Sequence, residues 1–160
     1  MHTVQVTRTI HASSDRVWDA FDKFSGIADF HPLVERSPAL NGIERGIGAQ
    51  RECHFYGGGS VKEVVLDSQT GRRQTVEIYE MGPFPLKKAI ANIEFAPRGE
   101  ETDVTFTMNF QAKYGPIGWL MGKTVMKSQF IKTIDGVLKG LDDHLRTGQL
   151  IGRKGELVPA

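Results

Sequence analysis

The stretch from Gly115 to Gly148 constrains this chain more than any other, because it reads as one long amphipathic helix. Pro116 suits a first helical turn, where its missing N–H would have had no partner. Arg146 and Gly148 supply a stop: a cation by the negative helix end, then a residue free to turn left-handed. At about 1.5 Å per residue, such a rod is on the order of 45 Å long. At roughly 100° per residue, Trp119, Leu120, Met126, Phe130, Ile134, Val137, Leu138, Leu141 and Leu145 share one arc. Lys132, Asp135, Lys139, Asp142 and Asp143 fall opposite. A face that broad needs a large surface to lie on. Gly118, Gly122, Gly136 and Gly140 form a strip beside it, each costing about 1 kcal/mol against alanine in a helix interior. A strand, a short helix or a second subunit is therefore expected to approach the helix backbone closely there.

The preceding residues supply that surface as strands. Thr3 to Ile10 alternates, with Val4, Val6 and Ile10 on one side and Arg8 interrupting them. Ser13 or Ser14 caps a short helix carrying Val17, Ala20, Phe21 and Phe24, and a second short helix over Gly26 to Phe30 ends before Pro32. Strands follow near Val34–Asn41, Gly48–Tyr56, Ser60–Asp67, Arg72–Glu80, Lys87–Ala96 and Thr102–Lys113. Glycine, proline and asparagine mark the turns between them, and the short connections favour antiparallel neighbours. The predicted fold is α+β: a seven-stranded bent antiparallel sheet around a long C-terminal helix, with two short helices after strand 1. Residues 1–148 form a single domain in this reading, and 149–160 a C-terminal tail.

The charge balance, 20 basic against 19 acidic residues well interspersed, leaves no electrostatic footprint for nucleic acid. Cys53 is the only cysteine, which excludes an intrachain disulfide and a multi-thiolate metal site. The five histidines show no ligand spacing, so no metal and no cofactor is expected. The N-terminal residues lack a basic segment leading into an apolar run, and no apolar run approaches the ~18 residues that span a bilayer. The expectation is a cytoplasmic protein without a transmembrane segment, monomer or homodimer.

Centring a hairpin on Gly57-Gly58-Gly59 puts Ala49, Arg51, Cys53 and Phe55 on one sheet face with Val61, Glu63 and Val65. In that register Phe55 faces Val61, Cys53 faces Glu63, and Arg51 sits diagonally from Glu63. Later strands add Ala91, Ile93 and Phe95, then Val104, Phe106, Met108, Phe110 and Ala112. Such small residues as Ala49, Cys53, Ala89, Ala91 and Ala112 cannot fill the depth between a bent sheet and a rigid rod. That pattern allows either tightly approaching elements or a cavity.

Local motifs spread over nearly the whole chain resemble the START-like, or SRPBCC, superfamily and its polyketide cyclase/dehydrase branch. They are Ile10-His11-Ala12-Ser13 with Val17-Trp18, Ile27-Ala28-Asp29-Phe30-His31-Pro32, Gly46-Ile47-Gly48-Ala49-Gln50-Arg51, and Gly59-Ser60-Val61-Lys62-Glu63. Pro85-Leu86 and Gly140-Leu141 complete the set. The resemblance implies a helix-grip fold related to the birch-pollen allergen, with a cavity for a small hydrophobic molecule such as a lipid, sterol or polyketide. The candidate lining is Arg51, Cys53, Glu63, Ala91, Phe106, Met108, Phe110, Met126, Phe130 and Ile134, with Tyr79 a further polar candidate. His31 either closes its helix or stands at the pocket mouth. Lys123 and Lys127 fall inside the apolar arc, where a cation suits a rim, unless the helix begins only near Val125. Arg51 and Glu63 are either a buried ion pair or a polar anchor for the ligand. Hydrophobic-ligand binding is the first functional reading. A cofactor-independent cyclase or dehydratase in the same pocket, or a partner-binding module, are the alternatives, and no catalytic residue can be assigned.

Overall fold

A computed structural model describes residues 1–160. Seven antiparallel strands form the sheet: β1 (His2–Ile10), β2 (Val34–Arg36), β3 (Gln50–Phe55), β4 (Ser60–Gln69), β5 (Arg73–Glu80), β6 (Leu86–Arg98) and β7 (Glu101–Ala112). Their order, β1-β7-β6-β5-β4-β3-β2, is a meander from β2 to β7 closed by β1 at the far edge. Helix α1 (Ser14–Asp22) and a 3-10 helix (Phe24–Asp29) follow β1. The C-terminal rod runs from Gly115 through Thr147 as α2 (Gly115–Met121), a π turn (Gly122–Met126) and α3 (Lys127–Thr147). This is the helix-grip α+β fold. No helix is long and apolar enough to cross a membrane.

The period-two pattern of the strands decides which side faces the rod. Val4 and Ile10 on β1, Ala89, Ala91, Ile93 and Phe95 on β6, and Val104, Met108 and Phe110 on β7 are all buried. From the rod, Ile134, Val137, Leu138 and Leu141 complete one continuous core. Phe21 and Phe95 meet edge-on with centroids 5.4 Å apart, joining α1 to the sheet.

The glycine strip lies where other elements press on the rod. A methyl group at Gly140 would overlap the carbonyl oxygen of Phe30, at the end of the 3-10 helix. At Gly122 it would overlap the His2 ring. That ring lies between Phe110 and Trp119, at centroid distances of 5.4 and 5.6 Å. The π turn sits at the same point. Thr124 Oγ1 donates to the Leu120 carbonyl at 3.0 Å, a side-chain bond that competes with the regular ladder.

Several expectations need correction. The β3–β4 register pairs Arg51 with Glu63 and Cys53 with Val61, so Arg51 and Glu63 are directly opposite. The three glycines all take positive φ (85°, 106° and 85°), and the turn closes with the Phe55 N–H donating to the Gly59 carbonyl at 3.0 Å, which slips the pairing by two residues. A slip of two keeps every side chain on its expected face. Strand β2 stops at Arg36, because Ser37 turns its hydroxyl to the Ser25 carbonyl and Pro38 brings no N–H. Trp119 and Leu120 belong to the apolar arc by spacing but are 52% and 57% exposed, since the π turn changes the phase of α2 relative to α3. Asp142, placed on the solvent side by spacing, is buried and accepts the His11 backbone N–H at 2.8 Å. Beyond the rod, β8 (Leu150–Ile151) pairs with β9 (Leu157–Val158), and Ile151 is buried, so the expected tail carries a hairpin.

Candidate functional site

Between the concave sheet and α3 lies a cavity of about 450 Å³, lined by 26 residues of which 20 are hydrophobic. Alanine and valine on the inner positions of β4, β5 and β6 leave this space, because none reaches the rod. Opposite them the rod contributes Met126 from the π turn and Phe130, Ile134 and Val137 from α3, spaced three or four residues apart. Leu33 and Phe84 line the cavity and are also 45% and 41% exposed, so it reaches the surface between them.

The polar groups gather mainly at one end. Arg51 Nε donates to Glu63 Oε2 at 2.5 Å, and Arg51 Nη1 donates to the Phe24 carbonyl at 2.9 Å. The guanidinium lies over the Phe24 ring, with Cζ 3.7 Å from its centroid. Arg51 Nη2 and Glu63 Oε1 take no protein partner. His31 is held by the Leu33 N–H, which donates to Nδ1 at 3.1 Å. The ring proton therefore sits on Nε2, which no protein group accepts. Burial, with the Arg51 charge adding to it, pushes His31 down to about 3, so the ring is neutral at physiological pH. Burial and then the Glu63 carboxylate push the Cys53 thiol up; it stays protonated, donates to Glu63 Oε2 and offers no nucleophile.

Arg51, Cys53, Glu63, Ala91, Phe106, Met108, Met126, Phe130, Ile134 and His31 all line this cavity. Phe110 does not: it is fully buried behind the wall, with its ring 4.7 Å from that of Phe130. Tyr79 points outward and donates to Gln50 Oε1 at 3.1 Å. Lys123 and Lys127 are also off the lining. The Lys123 ammonium reaches over the Trp119 ring, 5.4 Å from its centroid, because the π turn rotates this segment away from the cavity line. The mouth is carried instead by Leu33, Phe84 and Pro85, in loops whose side chains no periodicity assigns to a face. Gln129 and Thr133 were also missed, although both sit one turn apart on the flank of the apolar arc.

A bent sheet gripping a long helix over a mostly apolar cavity, with an arginine–carboxylate pair at one end, is the helix-grip architecture. By sequence, the chain belongs to the family described as polyketide cyclase / dehydrase and lipid transport, which it matches over residues 1–146. No curated protein matches it. Among solved structures, XoxI from Bacillus cereus is similar at a TM-score of 0.76 and 18% identity, over 92% of this chain and 97% of that one. The Zhui aromatase/cyclase from a Streptomyces species is similar at 0.70 and 18%, over 92% and 97%. A truncated norcoclaurine synthase from Thalictrum flavum is similar at 0.69 and 14%, over 91% and 94%. At such identities the likeness concerns the fold.

Proposed function

We propose that this protein binds a small, largely apolar molecule that carries one hydrogen-bond-accepting group, with that group against Arg51 and His31. The observation that carries this reading is the cavity itself: about 450 Å³, dominated by hydrophobic side chains, with unpartnered donors at one end. That size falls within the ~300–1,000 Å³ of ordinary small-molecule pockets. Arg51 Nη2 and the neutral His31 Nε2–H are both donors, so a carbonyl, carboxylate or phenolate oxygen suits them better than an amine. The family description includes lipid transport, and a lipid has this chemistry, a long apolar body with few oxygens.

The test is displacement of a fluorescent apolar dye from the purified protein by fatty acids, sterols and aromatic polyketides. Acceptor-bearing ligands should displace it, and Arg51→Leu should weaken them more than the matching hydrocarbons. A protein that binds no apolar dye under any condition would overturn the reading.

One observation favours a second reading, a cofactor-independent cyclase or dehydratase. Glu63 Oε1 has no protein partner and shares a carboxylate with the Arg51 ion pair. There it could take a proton from the carbon between two carbonyls, while Arg51 Nη2 and His31 Nε2–H hold the enolate oxygen. Consumption of a poly-β-ketone by the protein, abolished in Glu63→Gln with dye binding retained, would establish this chemistry.

A further inference from the structure

We propose that the end of the molecule formed by α2, the π turn and the β5–β6 loop docks on an anionic lipid bilayer. Large apolar side chains stand out of the surface there: Tyr114, Ile117, Trp119, Leu120 and Val125 are 70%, 72%, 52%, 57% and 61% exposed. Soluble surfaces seldom gather so much apolar area in one place unless something covers it. Tyr114 holds the corner into α2 with φ 73°, a left-handed conformation uncommon for a residue with a side chain. This corner turns the chain from β7 into α2.

The charges decide what the covering surface is. No aspartate or glutamate occurs between Val104 and Ile134, nor between Met81 and Ile93. Within these acid-free stretches Lys87, Lys88, Lys113 and Lys123 are exposed and Lys127 is half-buried. The Lys113 N–H donates to the Pro85 carbonyl at 2.9 Å, which fastens the two stretches side by side. Lys87, Lys113, Tyr114 and Trp119 border one shallow depression. A second copy of this face would bring like charges together, whereas an anionic headgroup layer is complementary to lysines and an apolar wedge at once. Trp119, with Lys123 against its ring, has the amphipathic form that settles at headgroup depth. Phe84, in the β5–β6 loop, is exposed and also lines the cavity, so docking of that loop would bring the mouth down to the lipid.

The experiment is co-sedimentation of the full chain with vesicles of phosphatidylcholine alone or with about one-third phosphatidylglycerol. Trp119 emission is read in parallel, since Trp18, the only other tryptophan, is buried. The protein should pellet with the anionic vesicles and not the neutral ones, with a blue shift absent from Trp119→Phe. Salt near 1 M should release it. Lys113→Gln with Lys123→Gln should lower partitioning roughly tenfold or more. Leu120→Ser with Ile117→Ser should do the same without changing the circular dichroism spectrum. Three results would overturn the proposal: no binding to either vesicle, equal binding to both, or a dimer in lipid-free solution that Leu120→Ser dissociates. Dye binding in the cavity is measured separately, so failure to dock and failure to bind a ligand are distinguishable.

Discussion

Arg51 is the residue on which the polar end of the cavity turns. Its three guanidinium nitrogens are divided between Glu63, the Phe24 carbonyl and open cavity. A buried pair gains little over an apolar pair of the same shape, but a lone buried charge is costly. Arg51→Leu should therefore lower unfolding free energy by about 3 kcal/mol, and Arg51→Leu with Glu63→Leu should recover most of that loss. Urea melts of the two variants decide it; a double variant no better than the single would show that the pair contributes net stability. His31 provides a second test at this scale. In the unfolded chain it takes up a proton near 6.5, whereas in the fold it does not until about 3. Between those values the unfolded state binds more protons, so stability is full above the window and declines as pH is lowered through it. The slope is at most about 1.4 kcal/mol per pH unit. His31→Gln should remove this part of the acid sensitivity, seen as a smaller change in urea midpoint between pH 7 and pH 4.

At the scale of elements, the rod is continuous but not uniform. Its α3 half presents Ile134, Val137, Leu138 and Leu141 to the core, while its α2 half leaves Trp119 and Leu120 in solvent. The π turn separates these roles, and Gly122 lets His2 of β1 fit against it. Gly140 serves the same purpose at the other end, where the 3-10 helix ends against the rod. The Phe30 carbonyl is backbone and cannot move aside as a side chain would. Gly140→Ala should destabilise by roughly 1–3 kcal/mol, although alanine is the better helix former by about 1 kcal/mol. Gly136→Ala is the control. A methyl there would meet only the Pro32 side chain, at 3.4 Å, so thermal melts should show little loss or a small gain.

For the whole molecule, the cavity is space that the core leaves unfilled between two rigid layers. A ligand bound only by the fold should raise its stability by about 2.7 kcal/mol at a hundredfold excess over Kd. Ala91 lies in the β6 wall, opposite Val76 on β5 and Met108 on β7. Ala91→Phe should fill part of the cavity and weaken dye binding at least several-fold, with the fold retained by circular dichroism. Unchanged dye affinity in that variant would place the dye elsewhere.

The sequence alone determined that seven strands, two short helices and a long C-terminal helix form, in what order, and which side of each strand faces inward. The reason is that side-chain direction follows local periodicity: two residues per strand repeat, 3.6 per helix turn. So the lining positions Arg51, Glu63, Ala91, Met108 and Ile134 were legible, as were the glycines against which other elements press. Tertiary structure alone decided the rest. The three-glycine loop has several allowed geometries, so only the assembled sheet selects the register that sets Arg51 directly opposite Glu63. The phase of α2 depends on one π turn packed against His2, and with it the loss of Lys123 and Lys127 from the cavity rim. Asp142 is buried because the His11 backbone N–H, over a hundred residues away in sequence, needs an acceptor there. Periodicity describes one element at a time. Register, helix phase and the cavity mouth are relations between elements, and they exist only once the chain has packed.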